Sequence, residues 1–343
     1  MDFIGLLTDA GRELFAPTTA AFALAAIGLN FHFGMTGLLN MGHAGFMLLG
    51  MYGYAITVRE IDKNGGQFLG LPVGPGATIV IGILVAIVLA ALFGLLLGWP
   101  TLKLRGDYLA IVTIAAAEMV RFLGRSQSFK NLTGGSTGIR GTDFKGPFES
   151  LSPFPDRQVT VGPFTMHGSI STSWWLVVIS WSVVAVAALL FWRLSRSPWG
   201  RVLKGVREDE DAVRSLGKNV YSYKMQALVL GGVIGALGGV LWSFGSAVAP
   251  DSMGRPTTFW IWTSLLLGGA ATVLGPLLGS ILFWTSLVLV KGLAAMFIPD
   301  SWLDPTELEP FSLMLVGVTL MVLVIFRPQG ILGDRRELAI NDR

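Results

Sequence analysis

Polar and ionisable side chains within the apolar stretches of this chain are few, and each is a candidate for function. A polar group facing lipid is costly, so a buried one marks either a pathway for a solute or a hydrogen bond between packed helices. Both interpretations stay open at this stage. The candidates for lining such a pathway are Asn30, Asn40, His43, Thr113 and Glu118.

Glu118 also has a simpler interpretation, because Arg121 follows it at a helical spacing. Residues three apart lie on one helix face, so these side chains are expected to pair with each other. The histidines, His32, His43 and His167, are too scattered to indicate a metal site, and the chain has no cysteine. Neither the phosphate-binding string G-x-x-x-x-G-K-[ST] nor H-E-x-x-H occurs. The sequence therefore predicts no catalytic residue, no bound metal or cofactor, and no enzyme activity.

The composition is typical of a protein that crosses a membrane several times. Hydrophobic residues make up 52% and charged residues 14% of the chain, against roughly 25% charged residues in an ordinary soluble domain. Together with a mean hydropathy of +0.63, this predicts an all-α polytopic membrane protein. The bases cluster at the ends of apolar segments, where membrane orientation explains them better than nucleic-acid binding.

The apolar segments predict about eight to nine transmembrane helices in a single domain, residues 1–343. Segment 14–58 is long enough for two crossings, or for one crossing and a re-entrant piece. In segment 256–290, the string GGAATVLGP predicts two short crossings joined at a turn. The remaining predicted crossings are 77–99, 106–123, 174–192, 225–248 and 311–326.

Three further features predict packing and topology. Gly231, Gly235 and Gly239 recur every four residues, so they share one helix face that can pack closely on another helix. Segment 124–173 is rich in turn-forming residues and predicts an extracytoplasmic loop or lobe. Segment 193–224 holds eight bases around an acidic run. Because cationic loops stay in the cytoplasm, this segment and the C-terminus are expected on the cytoplasmic side.

Within the charged segment, local chemistry predicts two short helices. Ser197 is a suitable N-cap with Pro198 at the first helical position. The acidic run 208–211 favours the start of a second helix, which Gly217 would end. Such a short helix must pack either on its own membrane domain or in a groove of another protein. Its small apolar face is predicted to consist of Ala212, Val213 and Leu216.

Six stretches, taken in order, resemble the successive motifs of one transporter family. They are GLNFHFGMTGLLNMGHAGFMLLGMYGYA, LKLRGDYLAIVTIAAAEMVRF, LTGGSTGI, SPWGRVLKGVREDEDAVRSLGKNVYSYK, LGGAATVLGPLLG and FRPQGILG. Over roughly residues 20–333, the chain is similar to the branched-chain amino-acid ABC transporter permeases, specifically their LivM-like half. The order and spacing of the motifs make this resemblance specific.

The resemblance implies the ABC importer permease fold and the import of branched-chain or other neutral amino acids across a bacterial or archaeal cytoplasmic membrane. The implied partners are a second, LivH-like permease, two cytoplasmic ATPases that bind ATP and Mg, an extracytoplasmic substrate-binding protein and membrane lipids, without nucleic acid. Since related permeases carry urea or short amides, such a permease is the alternative. An ion-coupled secondary transporter is less favoured, because the apolar segments hold few ionisable residues.

The resemblance also implies a coupling helix, the contact with an ATPase, within residues 205–217. The general importer signature, E-A-A followed by a spaced glycine, is only approximated by Asp211, Ala212 and Gly217. The role of each residue therefore stays open. The residues expected to contact the ATPase are Arg207, Glu208, Asp209, Asp211, Ala212, Leu216 and Gly217.

Overall fold

The computed structural model of the protein is dominated by helices, and it describes residues 3–104, 106–153, 159–161, 164–166, 174–297, 308–326 and 329–333. The first helices are α1 (Phe3–Leu14), α2 (Pro17–Thr36), α3 (His43–Lys63), α4 (Pro75–Thr101), α5 (Gly106–Arg125), α6 (Lys130–Thr133) and α7 (Gly146–Ser150). The later helices are α8 (Trp174–Arg196), α9 (Pro198–Glu208), α10 (Glu210–Ser215), α11 (Val220–Gly245), α12 (Arg255–Gly268), α13 (Gly275–Phe297) and α14 (Leu308–Phe326). Two small antiparallel hairpins pair β1 (Gln67–Phe68) with β2 (Leu71–Pro72), and β3 (Val159–Val161) with β4 (Phe164–Met166).

Five helices in the described part of the chain, α2, α4, α8, α11 and α13, are long and apolar enough to cross a membrane. Every apolar segment singled out from the sequence contains a helix, and the string GGAATVLGP separates α12 from α13. Helix α12 has 14 residues, which is about 21 Å at 1.5 Å per residue. A hydrocarbon layer is roughly 30 Å thick. Helix α12 alone is therefore shorter than this layer, and two crossings at this place remain a prediction.

Helix α2 lies at the centre of the bundle, with 17 of its 20 residues buried. A helix enclosed on all sides must be largely nonpolar all round, and the alanine-rich sequence of α2 provides this apart from Asn30 and His32. Helix α11 approaches it closely: a Cβ on Gly231 would meet the backbone of Gly28, and one on Gly239 would meet the backbone of Met47 in α3. The predicted glycine packing face of α11 is confirmed.

One end of the bundle carries the lobe predicted at 124–173. Its described residues form α6, α7, β3, β4 and three 3-10 turns, while 154–158, 162–163 and 167–173, including His167, lie outside the described residues. Ile139 pairs with Val248 in an isolated bridge, and the Arg59 guanidinium donates to the Leu132 carbonyl at 2.7 Å. These contacts fix the lobe to the ends of α3 and α11. We call this the lobe end.

The opposite end gathers the charged segment and the ends of several helices, and we call it the α10 end. Here Arg207 Nη1 donates to the Gly34 carbonyl of α2 at 2.6 Å. The Tyr221 hydroxyl, at the start of α11, donates to the Trp99 carbonyl of α4 at 3.2 Å. Helices α9 and α10 therefore lie against the same end of the bundle at which α2 and α4 finish.

Candidate functional site

Polar side chains from α2 and α5 meet the segment that joins α2 to α3. The Asn40 side-chain nitrogen lies 3.0 Å from His32 Nδ1, and Asn40 Oδ1 accepts the Gly42 N–H at 2.9 Å. The Thr113 hydroxyl accepts the Met41 N–H at 3.0 Å. Asn40, His32 and Thr113 are fully buried. The structure thus brings two predicted path residues, Asn40 and Thr113, to one buried polar place together with His32.

Apart from the exposed Gly37, the segment 37–42 is packed among helices. Gly37 ends α2 with a φ of 70°, a conformation that glycine adopts without strain. The Trp262 indole of α12 donates to the Asn40 carbonyl at 3.0 Å. A turn enclosed in this way has to meet its hydrogen bonds within the protein. This enclosure explains why the segment carries no Lys or Arg.

His43 occupies a notch between α2 and α11. A Cβ on Gly28 would lie 3.2 Å from His43 Nε2, and Gly235 leaves room for the ring on the other side. The His32 and His43 ring centroids are 5.3 Å apart. Both nitrogens of His43 are buried without a hydrogen-bond partner among the described residues. Within the part of the chain that the structure describes, no group of three or more metal-ligating side chains occurs.

Asn30 joins α2 to the break between α12 and α13. Its Oδ1 accepts the Ala271 N–H at 2.8 Å, and its Nδ2 donates to the Thr272 carbonyl at 2.8 Å. The break has unusual backbone geometry, since Ala271 has a φ of 64°. Backbone N–H groups of the segment 329–333 also donate to the last carbonyls of α12. Among these bonds, Ile331 N–H donates to Leu267 O at 3.0 Å. The break is therefore hydrogen-bonded from both sides.

Glu118 belongs to a network of charges toward the lobe end of α5. Its carboxylate lies 2.7 Å from the Arg121 guanidinium, so the pairing inferred from their spacing is confirmed. Arg121 also lies 2.6 Å from Asp251, Arg125 lies 3.5 Å from Asp251, and Arg255 lies 3.6 Å from Glu118. The network ties α5 to the segment before α12. Glu118 also lines a small cavity together with Met41 and Thr258, next to the buried polar residues around Asn40.

The two short helices of the charged segment form as predicted. Ser197 caps α9 by accepting the Gly200 N–H at 3.2 Å. Asp209 caps α10, since its carboxylate accepts the N–H groups of Asp211 and Ala212, each at 3.0 Å. Gly217 follows the end of α10 with a φ of 75°, a conformation that favours glycine. Local capping chemistry thus fixes the shape of this element.

The predicted apolar face of α10 is divided between two directions, which corrects the sequence interpretation. Val213 is buried and packs with Val206 and Val220, whereas Leu216 is 80% exposed and Ala212 is exposed. Helix α10 has only six residues. Leu216 lies beyond its last residue, where the chain turns into Gly217, so the Leu216 side chain no longer shares the face of Val213. Val213 therefore anchors α10 to its own domain, and Ala212 and Leu216 stay open to a partner.

Arg207 also points toward its own domain. Its side chain is only 11% exposed, and it lies 2.7 Å from Glu208, whose side chain is 61% exposed. With its bond to the Gly34 carbonyl, it holds α9 against α2. A second link is the ion pair between Lys224 of α11 and Glu210 of α10. The exposed members of the predicted docking set are Glu208, Asp209, Asp211, Ala212, Leu216 and Gly217.

Three contributors to these sites were not predicted from the sequence as functional residues. They are His32, Trp262 and Thr258, whose hydroxyl accepts the Ala44 N–H at 3.1 Å. His32 carries the same signal that singled out Asn30, a polar group within a charge-free run. Trp262 and Thr258 carry no such signal, because an apolar helix commonly contains both residue types.

An apolar helical bundle with enclosed polar groups, a broken helix pair and a capped, partly exposed short helix between spans defines a multi-pass membrane transport subunit. The chain belongs to the branched-chain amino acid transport system / permease component family, whose model matches residues 13–324. It is a permease subunit of an ABC importer.

Curated relatives match the chain over nearly its whole length. The LivM permease protein of the Escherichia coli high-affinity branched-chain amino acid transport system is 28% identical, over 96% of this chain and 72% of the relative. A probable LivM protein of Methanocaldococcus jannaschii is 28% identical, over 92% and 91% of the two chains. The Escherichia coli LivH permease protein is 24% identical, over 92% of each chain. The chain is therefore similar to both permease types.

Proposed function

We propose that this chain translocates branched-chain amino acids, or other neutral amino acids, delivered by an extracytoplasmic binding protein. The observation that carries the proposal is the match to a branched-chain amino acid permease relative over 96% of the chain. A urea or short-amide permease and an ion-coupled secondary transporter are the rival functions. The latter would place ionisable groups along the spans, and Glu118 is already held in an ion pair with Arg121.

The proposed complex contains a second, LivH-like permease and two cytoplasmic ATPases. The ATPases bind ATP and Mg and perform the hydrolysis, while this chain supplies no catalytic group or cofactor site. The chain contributes two conformations with different affinities for its partners, since a ligand shifts an equilibrium only through differential binding. The similarity to relatives named LivM and LivH supports a permease pair.

We further propose that residues 1–343 form one permease domain with about eight to nine crossings. The charged segment 193–224 and the C-terminus are cytoplasmic, and the lobe at 124–173 is extracytoplasmic. Supporting this orientation, the α10 end holds a concentration of bases, among them Lys103, Arg196 and Arg201, and such bases remain on the cytoplasmic side. The binding protein would then approach the lobe end.

The proposed ATPase contact is the exposed rim of α9 and α10, with Leu216 as its apolar centre. Leu216 is 80% exposed, and a large apolar side chain held out by a capped helix suits a groove in a partner. The rim also carries acidic side chains, among them Asp211, which is 88% exposed. Arg207 remains in the proposed coupling set, but its contacts support a positioning role behind this rim.

The proposed translocation path includes Asn30, Asn40, His43, Thr113 and Glu118. The enclosed segment 37–42 and the break between α12 and α13 support it, because irregular backbone within a membrane protein is tolerated where it lines a cavity or is buried in protein. Polar groups at both breaks can exchange hydrogen bonds when the helices move. Interhelical hydrogen bonding without substrate contact stays the alternative for these residues.

Substitution at the exposed rim tests the coupling assignment. Ala212→Asp places a charge beside Leu216, and Gly217→Arg places a long charged side chain at a φ of 75°, so both should preserve membrane insertion and abolish ATPase-driven uptake. Ala212→Ser is the matched control of similar size. The measurements are co-purification of the ATPases in mild detergent and uptake into proteoliposomes. Normal uptake with Ala212→Asp would place the docking surface elsewhere.

The substrate assignment needs a separate measurement. ATPase stimulation by the loaded binding protein should be compared for leucine, alanine, urea and short amides in the reconstituted complex. Stimulation by leucine and not by urea is expected. Stimulation by urea or amides alone would refute the amino-acid assignment and leave the ABC permease role intact.

A further inference from the structure

An apolar groove between α4 and α5 opens on the outer surface of the bundle. It encloses about 820 Å³. Its walls include Leu89, Phe93 and Leu96 from α4, and Val112 and Met119 from α5. From Leu89 to Thr101 at its end, α4 rises about 18 Å at 1.5 Å per residue. This length matches the depth of one leaflet, about half of the roughly 30 Å hydrocarbon layer.

The groove changes character at the α10 end. Trp99, Thr101 and Lys103 line this end, and Trp99 is 71% exposed. Tryptophan beside a basic residue is the arrangement found where a helix leaves the hydrocarbon layer for the headgroup region. The apolar groove therefore ends at the level where lipid headgroups would lie.

A second cleft, of about 790 Å³, begins at Lys103 and extends to α10 and the start of α11. Four basic and two acidic side chains line it, which gives the lining a net charge of +2. Both acids are paired: Arg214 lies 2.9 Å from Glu210 and 2.9 Å from Asp211. Among the described residues, Lys103 and Lys218 take part in no ion pair. The cleft thus has positive charge available for an anion.

We propose that these adjoining cavities form one site for an anionic phospholipid of the leaflet at the α10 end. One acyl chain fills the groove between α4 and α5, and the phosphate lies at Lys103 in the charged cleft. Lys103 lines both cavities, so chain and headgroup sites are continuous. Charge complementarity selects an anionic lipid, since basic pockets between membrane helices bind such headgroups.

The site gives the membrane a route to the docking element. The charged cleft is bounded on one side by the end of α4 and on the other by Glu210, Asp211 and Arg214 of α10. A bound phosphate would compete with Glu210 and Asp211 for Arg214 and so alter how α10 is held. Anionic lipid should therefore change the rate of substrate-dependent ATP hydrolysis by the complex. This consequence rests on the proposed docking role of α10, whereas lipid binding itself does not.

The experiment compares lipid retention by the purified complex using native mass spectrometry, after reconstitution in nanodiscs of phosphatidylcholine with phosphatidylglycerol. Lys103→Gln should lower phosphatidylglycerol retention about fivefold, the effect expected of one lysine at an anionic surface. Lys63→Gln is the matched control, since it removes one exposed lysine at the lobe end. Val112→Trp fills the groove without changing charge and should also lower retention.

Each other outcome overturns the proposal in a recognisable way. Unchanged retention in Lys103→Gln and Val112→Trp removes the site, and an equal loss in Lys63→Gln indicates a general surface charge effect. Displacement of the lipid by inorganic phosphate indicates a free-anion site. Failure of Val112→Trp to assemble with the second permease identifies the groove as a subunit interface. Because retention is measured without transport, the result stands even if the proposed substrate is wrong.

Discussion

Replacing Arg207 with alanine should separate ATP hydrolysis from transport while leaving the docking rim in place. Arg207 Nη1 donates to the Gly34 carbonyl in the last turn of α2 at 2.6 Å. The backbone N–H groups after this turn do not bond the Gly34 carbonyl: Gly37 N–H donates to Phe33 O, and Leu38 N–H donates to His32 O. Arg207 thus supplies a partner for a helix-end carbonyl, as basic side chains do at C-termini. The bond connects α9, which precedes the proposed docking helix α10, directly to the central helix α2.

The size of the effect follows from the burial of this contact. A hydrogen bond to a charged group contributes about 1.5–3 kcal/mol, and the Arg207 side chain is only 11% exposed. The neighbouring pair with Glu208 adds little, since the Glu208 side chain is 61% exposed and exposed pairs contribute about 0–1 kcal/mol. At 1.4 kcal/mol per factor of ten, the equilibrium that holds α9 on α2 should shift about 10- to 100-fold.

The assay is leucine uptake and ATP hydrolysis measured together in proteoliposomes containing the complete complex. Arg207→Ala should lower the uptake per ATP at least tenfold while the ATPases still co-purify. Arg207→Lys should recover part of the ratio, because it keeps a charge and a donor. Arg201→Ala is the matched control, since Arg201 lies on α9 and is exposed. An assembled Arg207→Ala complex with the wild-type ratio would refute the reasoning.

Two predictions concern stability, measured as the thermal midpoint in detergent. Asn30→Leu keeps the volume but leaves Ala271 N–H and Thr272 C=O without their partner, so it should destabilise the protein by about 1–3 kcal/mol for each group; an unchanged midpoint would contradict this. Burial, partly opposed by the Thr18 hydroxyl, raises the pKa of Glu13. Protonated Glu13 therefore contributes its full stabilisation at acidic pH, and this contribution is lost as the pH rises through the raised pKa. Glu13→Gln should raise the midpoint near pH 8 and not near pH 4, and equal shifts at both would contradict the burial effect.

Elements that depend on neighbours in the sequence were predictable. The segment 77–99 becomes α4, Pro75–Thr101. In lipid, a long apolar segment satisfies all its backbone hydrogen bonds internally when it forms a helix. Ser197 and Gly217 act as the cap and the stop that their residue types indicate. Glu118 and Arg121 pair because three residues bring them to one helix face.

Contacts between distant segments were not predictable in the same way. Asn30 meets Thr272 across 242 residues, and Arg207 meets Gly34 across 173 residues. Helical periodicity gives the face of a helix and not the identity of the helix that packs on it. Leu216 shows the same limit, because only the packing of Val213 with Val206 and Val220 determines which apolar residues of α10 remain exposed. The packing of the whole bundle determines which helix ends lie next to each other.

These long-range contacts converge on Gly34, and glycine is the residue type that permits this. Its carbonyl accepts the Arg207 hydrogen bond, and a Cβ at this position would lie 2.7 Å from the Ala271 nitrogen and also meet the Asn30 side chain. The absent side chain therefore lets the end of α2 touch the break between α12 and α13 while α9 holds it from outside. We expect a movement of α9 to shift the segment that Asn30 binds, because closely packed groups transmit displacement. Gly34 thus contacts both α9 and the break between α12 and α13.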